Sequence, residues 1–286
     1  MEIFMSIACI TGASSGIGRA FAIHLSKMGY NLILISRNTY KLKKLASNLN
    51  TKCKIIYCDL ANENSCHNLA NQLKKYNIDI LINNAGFGDL GMFDKTDLLK
   101  DLDMIQVNIK AMHILTKELL PEFIKRDKGY IMNVASSAGL LPGGPHMATY
   151  YATKAYVTSL TCSIYQELQE QPMCHPHIQP QIAHLSVPQW TKNHSIQHKK
   201  SSVHICALCP GPVHTNFDKA ANVKFSINGI SASYCAAYGL KKMFQKKLII
   251  IPTWYMKAAV WAIHKIPRKM ALAITAQQQH KKYLQQ

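Results

Sequence analysis

The chain has 286 residues, 48% of them hydrophobic and 17% charged, enough to bury one large core. No uninterrupted apolar run is long enough to span a bilayer, so an ordinary transmembrane helix is not expected. The formal net charge of +18 is unevenly placed: residues 1–170 carry +4, and residues 171–286 carry +14 with Asp218 as their only acid. Such a basic part asks for an anionic partner.

In chain order, Ser6–Ile10 is a short apolar run, followed by the turn Thr11-Gly12-Ala13-Ser14-Ser15-Gly16-Ile17-Gly18 and by helical periodicity over Arg19–Lys27. A strand, a glycine turn and a helix meet the physical requirements of a dinucleotide site. Gly12 permits the tight turn, Gly16 admits a pyrophosphate, and Gly18 lets helix and strand approach; the helix N-terminus adds amide donors and partial positive charge. The alternating strand Asn31–Ser36 then ends beside the adenosine. An acid there would favour a ribose 2′-hydroxyl, but the residues are Ser36 and Arg37. A guanidinium suits a 2′-phosphate, so the expected cofactor is NADP(H), with Ser14 assisting.

Further strands are expected at Lys54–Tyr57, Ile80–Asn83, Tyr130–Ser136, Val203–Leu208 and Leu248–Ile251, with long helices at Leu102–Lys125 and Thr149–Glu170. Alternating strands and helices predict the α/β class: a doubly wound parallel sheet of Rossmann type, helices on both faces, in one domain over 1–286. On the second long helix Tyr150 and Lys154 are four residues apart and share a face. An ammonium about 5 Å from a phenol, at an effective dielectric of about 20, favours the phenolate by roughly 3 kcal/mol, or about two pKa units. That would bring Tyr150 into the range of general acid–base catalysis. Tyr151 lacks such a partner, since the fourth residue after it is Ala155. Ser137, thirteen residues before Tyr150, could hold a substrate oxygen beside the phenol.

Taken together in order, the glycine turn, Asp59, Asn83-Asn84-Ala85-Gly86, Asn108, Ser137, Tyr150 with Lys154, and Pro210-Gly211 resemble the short-chain dehydrogenase/reductase family over nearly the whole chain. Leu34-Ile35-Ser36-Arg37-Asn38 and the C-terminal stretch are similar to its 17β-hydroxysteroid and 3-oxoacyl reductase members. The resemblance implies that Tyr150 donates a proton, Lys154 lowers its pKa, Ser137 orients the carbonyl and Asn108 supports a proton relay through a held water. It implies that Asp59 bonds the adenine and that Asn84, Ala85 and Gly86 line the adenine-ribose side. Ser15, Ile17, Pro210, Gly211 and Val213 complete the expected cofactor contacts, together with Tyr150 and Lys154. A homo-oligomer, dimer or tetramer, paired through the two long helices, is also implied by resemblance alone.

The expected function is reduction of an apolar ketone, such as a 3-oxoacyl chain or a steroid-like ring, in a pocket bounded by Phe87, Leu140–Met147, Pro212–Phe217 and the C-terminal segment. The alternative is an NADP(H)-binding sensor without catalysis. Nine cysteines without repeated spacing fit a reducing compartment, and the Cys206/Cys209 pair would face opposite sides of a strand. No metal site is expected; Cys174-His175-Pro176-His177 lies in a Pro- and His-rich insertion over 171–200 and lacks a partner pair. No signal peptide is seen, and a cytoplasmic location is expected. The basic segment 252–286, where Trp254, Tyr255, Val260, Trp261 and Ile263 mix with Lys257, Lys265, Arg268 and Lys269, either packs as a cap on the pocket or touches an anionic membrane surface. A phosphorylated thioester carrier is another candidate partner, and nucleic acid ranks last.

Overall fold

The computed structural model describes residues 6–170, 201–215, 217, 221 and 229–284; the expected insertion at 171–200 lies outside these residues. Seven parallel strands form the main sheet: β1 (Ile7–Thr11), β2 (Asn31–Ser36), β3 (Cys53–Tyr57), β4 (Ile78–Asn83), β5 (Tyr130–Val134), β6 (His204–Leu208) and β9 (Ile249–Ile250). Their order is β3-β2-β1-β4-β5-β6-β9, and β7 (Val213–His214) pairs with β8 (Ile230–Ser231) in a separate ribbon. The helices are α1 (Gly16–Lys27), α2 (Thr39–Ala46), α3 (Glu63–Leu73), α4 (Leu98–Ile105), α5 (Met112–Lys125), α6 (Ala148–Glu170), α7 (Ala232–Phe244), α8 (Trp254–Ile263) and α9 (Arg268–Tyr283).

Covered on both faces, the strands are apolar almost without a break; Leu32 to Ile35 of β2 are all buried. Alternation then assigns each side chain to one of two cores. Ala8, Ile10 and Leu34 pack with Phe21 and Leu25 of α1, whereas Cys9, Ile33 and Leu81 pack with Leu69 of α3 and Leu115 of α5. Cys206 and Cys209 likewise fall in different apolar clusters, and the described cysteines are free thiols. Among the described residues, no group of His, Cys, Asp and Glu is arranged to hold a metal ion, and no helix is long and apolar enough to cross a membrane.

Two expectations need correction. The single helix Leu102–Lys125 is α4 and α5 joined by a π-helical segment, Gln106–Ala111, which carries Asn108. The strand Tyr130–Ser136 stops at Val134, because Ser136 caps a 3₁₀ turn over Ser137–Leu140 by accepting a hydrogen bond from the Ala138 N–H at 3.1 Å. β2 has the expected bounds, and the other strands differ by one or two residues at one or both ends, where hydrogen bonds fray at sheet margins.

β1 and β4 are neighbours in the sheet although β2 and β3 separate them in the chain, so the connections diverge above their C-terminal ends. A crevice opens at such a switch point. Behind it runs a buried polar chain: Asn83 donates to Thr116 Oγ1 (3.0 Å) and Asn133 Oδ1 (2.9 Å), and Asn133 donates to Thr161 Oγ1 (3.0 Å). It ties β4 and β5 to α5 and α6, the helices beside and beneath the crevice.

Candidate active site

The crevice has a volume of about 1050 Å³. At one end the glycine turn forms its floor. Gly12 and Gly16 have φ of +65° and +53°, a backbone region that side chains rarely adopt. A Cβ on Gly18 would lie 2.4 Å from Gly12 O and 2.5 Å from Asn84 Nδ2, so this helix start tolerates no side chain. Asn84 donates its side-chain amide to Thr11 O (3.0 Å) and Gly12 O (3.3 Å), while the Asn84 and Ala85 N–H groups donate to Thr11 Oγ1 (3.0 Å each). Asn84 thus braces the turn from β4. The N-cap of α1, Ser15, makes no side-chain hydrogen bond to the first amides, which leaves the helix terminus suited to an anion.

Beyond the turn, the Ser36 hydroxyl donates to Ser14 Oγ (2.9 Å), joining the end of β2 to the loop. Arg37 is exposed, and its Nη1 lies 3.9 Å from Asp59 Oδ1. Asp59 also accepts from the Ala61 N–H (3.1 Å), and Ser14, Arg37 and Asp59 all line the crevice. These groups fit a nicotinamide dinucleotide: a cradle with no room for side chains, a helix terminus for a pyrophosphate and a guanidinium at the ribose end.

At the centre, Tyr150 exposes part of its ring to the crevice, with Phe217 5.4 Å away centroid to centroid. So much protein surrounds the phenol that burial pushes it up to about 12, partly opposed by a hydrogen bond from Ser136. Lys154 is buried, donates to Val134 O (2.9 Å), and is pushed down to about 8 by burial. Its Nζ stands 5.9 Å from the Tyr150 ring centroid. Burial is thus the largest influence on the phenol and raises it, the opposite direction to the one expected from Lys154.

Two adjacent serines stand near the phenol. Ser136, rather than Ser137, is the serine that lowers the Tyr150 phenol against the effect of burial, and its hydroxyl oxygen accepts from the Ala138 N–H at 3.1 Å. Ser137 lines the crevice and donates its backbone N–H to Pro210 O at 2.8 Å. Asn108 is buried and fully engaged: it accepts from the Phe87 N–H (3.0 Å) and donates to Phe87 O (2.9 Å) and Thr153 Oγ1 (3.1 Å). Gly86 packs so closely that a Cβ there would lie 2.9 Å from Asn108 Oδ1 and 3.3 Å from Lys154 Nζ. Asn108 thereby locks the Phe87 loop onto the turn of α6 that carries Lys154.

The far wall is apolar, including Leu141, Met147, Met256, Ile263 and Ile274; Ile17, Pro210, Gly211 and Val213 complete the junction with the glycine end. Sequence reasoning missed one contact here: Gln279 of α9 donates to the Tyr151 hydroxyl across 128 positions in the chain, leaving its buried Oε1 without a partner. His146, left-handed at φ +64°, stacks on Tyr283 with centroids 4.7 Å apart, so α9 closes over the crevice. His214 is exposed at the end of β7.

A family model described as short chain dehydrogenase matches residues 6–182. The chain is 37% identical over 178 residues to a very-long-chain 3-oxoacyl-CoA reductase-like protein of Arabidopsis thaliana, covering 59% of this chain and 57% of that protein. It is 39% identical over 162 residues to a 3-oxoacyl-[acyl-carrier-protein] reductase of Rickettsia prowazekii, covering 56% and 65%. The matches thus span about six-tenths of these relatives' lengths. In fold it is similar to a short-chain dehydrogenase from Sphingobium yanoikuyae solved in complex with NADPH, with a TM-score of 0.74, 23% identity and coverage of 91% and 93%.

Proposed function

Since the chain belongs to the short-chain dehydrogenase family, whose members use a nicotinamide cofactor, we propose that it is an NADP(H)-dependent reductase of apolar ketones. One observation carries this reading: a protonated phenol, near Ser136 and backed by a buried lysine, faces an apolar crevice beside the glycine cradle. When bound, the reduced nicotinamide supplies the hydride. Gly12, Gly16 and Gly18 with the start of α1 would hold the pyrophosphate, and Ser14 and Arg37 would meet a 2′-phosphate.

Tyr150 then delivers its proton to the oxygen of the reacting carbonyl. The Ser136 hydroxyl supports the phenolate as it forms by donating its one hydrogen to it. The Lys154 ammonium favours the same charge electrostatically, more strongly as water leaves the crevice. Asn108 and Gly86 fix the position of Lys154. The apolar wall, with Met147, Phe217 and Ile274, favours a 3-oxoacyl chain or a steroid-like ring over a sugar.

The test is NADPH consumption across apolar ketones and 3-oxoacyl thioesters, repeated with NADH and with Arg37→Ala. Turnover should favour NADPH, and Arg37→Ala should raise the KM for NADPH by about tenfold or more while sparing NADH. Tight NADPH binding without turnover on any ketone would instead support a sensor. The assignment of the serine has its own check. Ser136→Ala should lower kcat about a hundredfold, the scale set by loss of one oxyanion-type donor, whereas Ser137→Ala should cost far less; the reverse order would restore the thirteen-residue spacing argument.

The apolar stripe on α4, with Leu98, Leu99 and Leu102 at least half exposed, and Tyr156 on α6 support assembly as a homo-oligomer. A lone-chain mass in analytical ultracentrifugation would refute that assembly.

A further inference from the structure

We propose that the segment formed by α8 and α9 docks on an anionic lipid surface, from which an apolar ketone enters the crevice directly. The inference rests on the crevice being a site for such a ketone and adds the route by which the substrate arrives.

Helix α8 has no buried residue, yet Met256 and Val260 pack on an apolar cluster and so fix which side faces out. The outward stripe is Trp254, Ala258, Trp261 and Lys265, at positions that share one helical face. The tryptophans are 79% and 68% exposed, and the Lys265 ammonium lies 6.0 Å from the Trp261 ring centroid. On α9, Met270 and Ile274 are exposed too, while Ala271, Thr275 and Gln279 point inward. Apolar anchors of this size are costly to leave in water unless another phase receives them.

The cations lie around the same stripe. Lys257, Lys265, Arg268 and Lys269 belong to the two helices or the link between them, and residues 229–284 contain no Asp or Glu. Tryptophans interleaved with lysines and arginines match the boundary of a bilayer, where indoles sit at headgroup depth and cations meet anionic phosphates. A second copy of this chain is a poor occupant, since two faces of the same sign would repel. An acidic carrier protein would satisfy the charges but leaves the indoles without a comparable apolar phase.

The crevice reaches this same segment. Ala262, Ile266, Ile274 and Gln278 line it and belong to α8, α9 or the link between them, and Ile274 is also one of the exposed apolar residues. A molecule dissolved in the acyl boundary would therefore meet the mouth of the crevice without crossing water.

The test is cosedimentation of the full chain with vesicles of phosphatidylcholine alone or mixed equally with phosphatidylglycerol. Binding should be about a hundredfold tighter to the mixed vesicles and should weaken steeply with salt. The double variant Trp254→Ala/Trp261→Ala should lose about tenfold or more in affinity, with the blue shift of tryptophan emission abolished. Lys265→Glu/Lys269→Glu should lose the preference for anionic lipid. Both variants should keep wild-type turnover of a short, water-soluble ketone, because these side chains lie outside the crevice.

Equal affinity for the two vesicle types, or affinity indifferent to both variants, would overturn the proposal. So would a tryptophan-dependent dimer in ultracentrifugation, or binding to an acidic acyl carrier protein in place of vesicles. Vesicle binding as described, in a chain that reduces no ketone, would uphold the docking face and remove the catalytic reading separately.

Discussion

Tyr150→Phe is expected to lower kcat for ketone reduction about a thousandfold, within the range seen when a positioned proton donor is removed. The crevice walls are otherwise unchanged, so the variant should retain most of its affinity for the dinucleotide, measured by fluorescence titration. The neighbouring Tyr151 cannot substitute, because its hydroxyl is engaged by Gln279. The pH dependence of the two directions also follows from the phenol. Held at about 12 before the dinucleotide binds, Tyr150 carries its proton through neutral and mildly alkaline pH, so the donor is loaded for reduction. Alcohol oxidation needs the phenolate and should be slow in comparison until the pH is well above neutral. Wild-type kcat in the phenylalanine variant would remove Tyr150 from the chemistry.

Lys154→Met is expected to move activity and stability in opposite directions. Its charge supports the phenolate, so kcat should fall by about a hundredfold or more. Burial, however, holds the folded-state pKa of Lys154 near 8, below its ordinary value of 10.5. For a base whose pKa is depressed by folding, the unfolded chain binds the extra proton, so wild-type stability rises with pH between those two values. Below pH 8 the buried ammonium costs the fold about 3 kcal/mol. That cost falls by about 2 kcal/mol between neutral pH and roughly pH 9.5. Urea unfolding should show this rise in the wild type and a flatter profile in Lys154→Met. Parallel profiles would mean that Lys154 titrates elsewhere. In the wild type, kcat/KM for NADPH should fall above about pH 8 as the same group loses its proton.

The parts legible in the sequence are those governed by local rules. The glycine turn, its strand and its helix follow from residues within one short stretch, and β2 is recovered with both its ends. The i, i+4 relation of Tyr150 and Lys154 correctly put them on one helix face, but it could not give the depth of burial, which reverses the direction of the Tyr150 shift. Counting residues points to Ser137 but cannot weigh it against Ser136, because both sit where the chain leaves β5 for a 3₁₀ turn that leaves no clear mark in composition. The π segment around Asn108 has no proline or glycine to announce it. Gln279 and Tyr151 meet only because the tertiary fold brings α9 back over α6.

Helix α6 ends at Glu170, and β6 starts at His204 beside the beginning of β5, where Asp127 accepts a hydrogen bond from the Ser202 N–H at 2.7 Å. The described ends of that connection, Glu170 and Ser201, thus lie at the N-terminal edge of the sheet, the opposite rim from the crevice. Chain length added at that rim costs little in closure entropy, since each doubling of a loop adds only about 0.6 kcal/mol. A tag, a reporter or a second module that enters at Glu170 and leaves at Ser201 therefore starts and ends on the rim away from the chemistry.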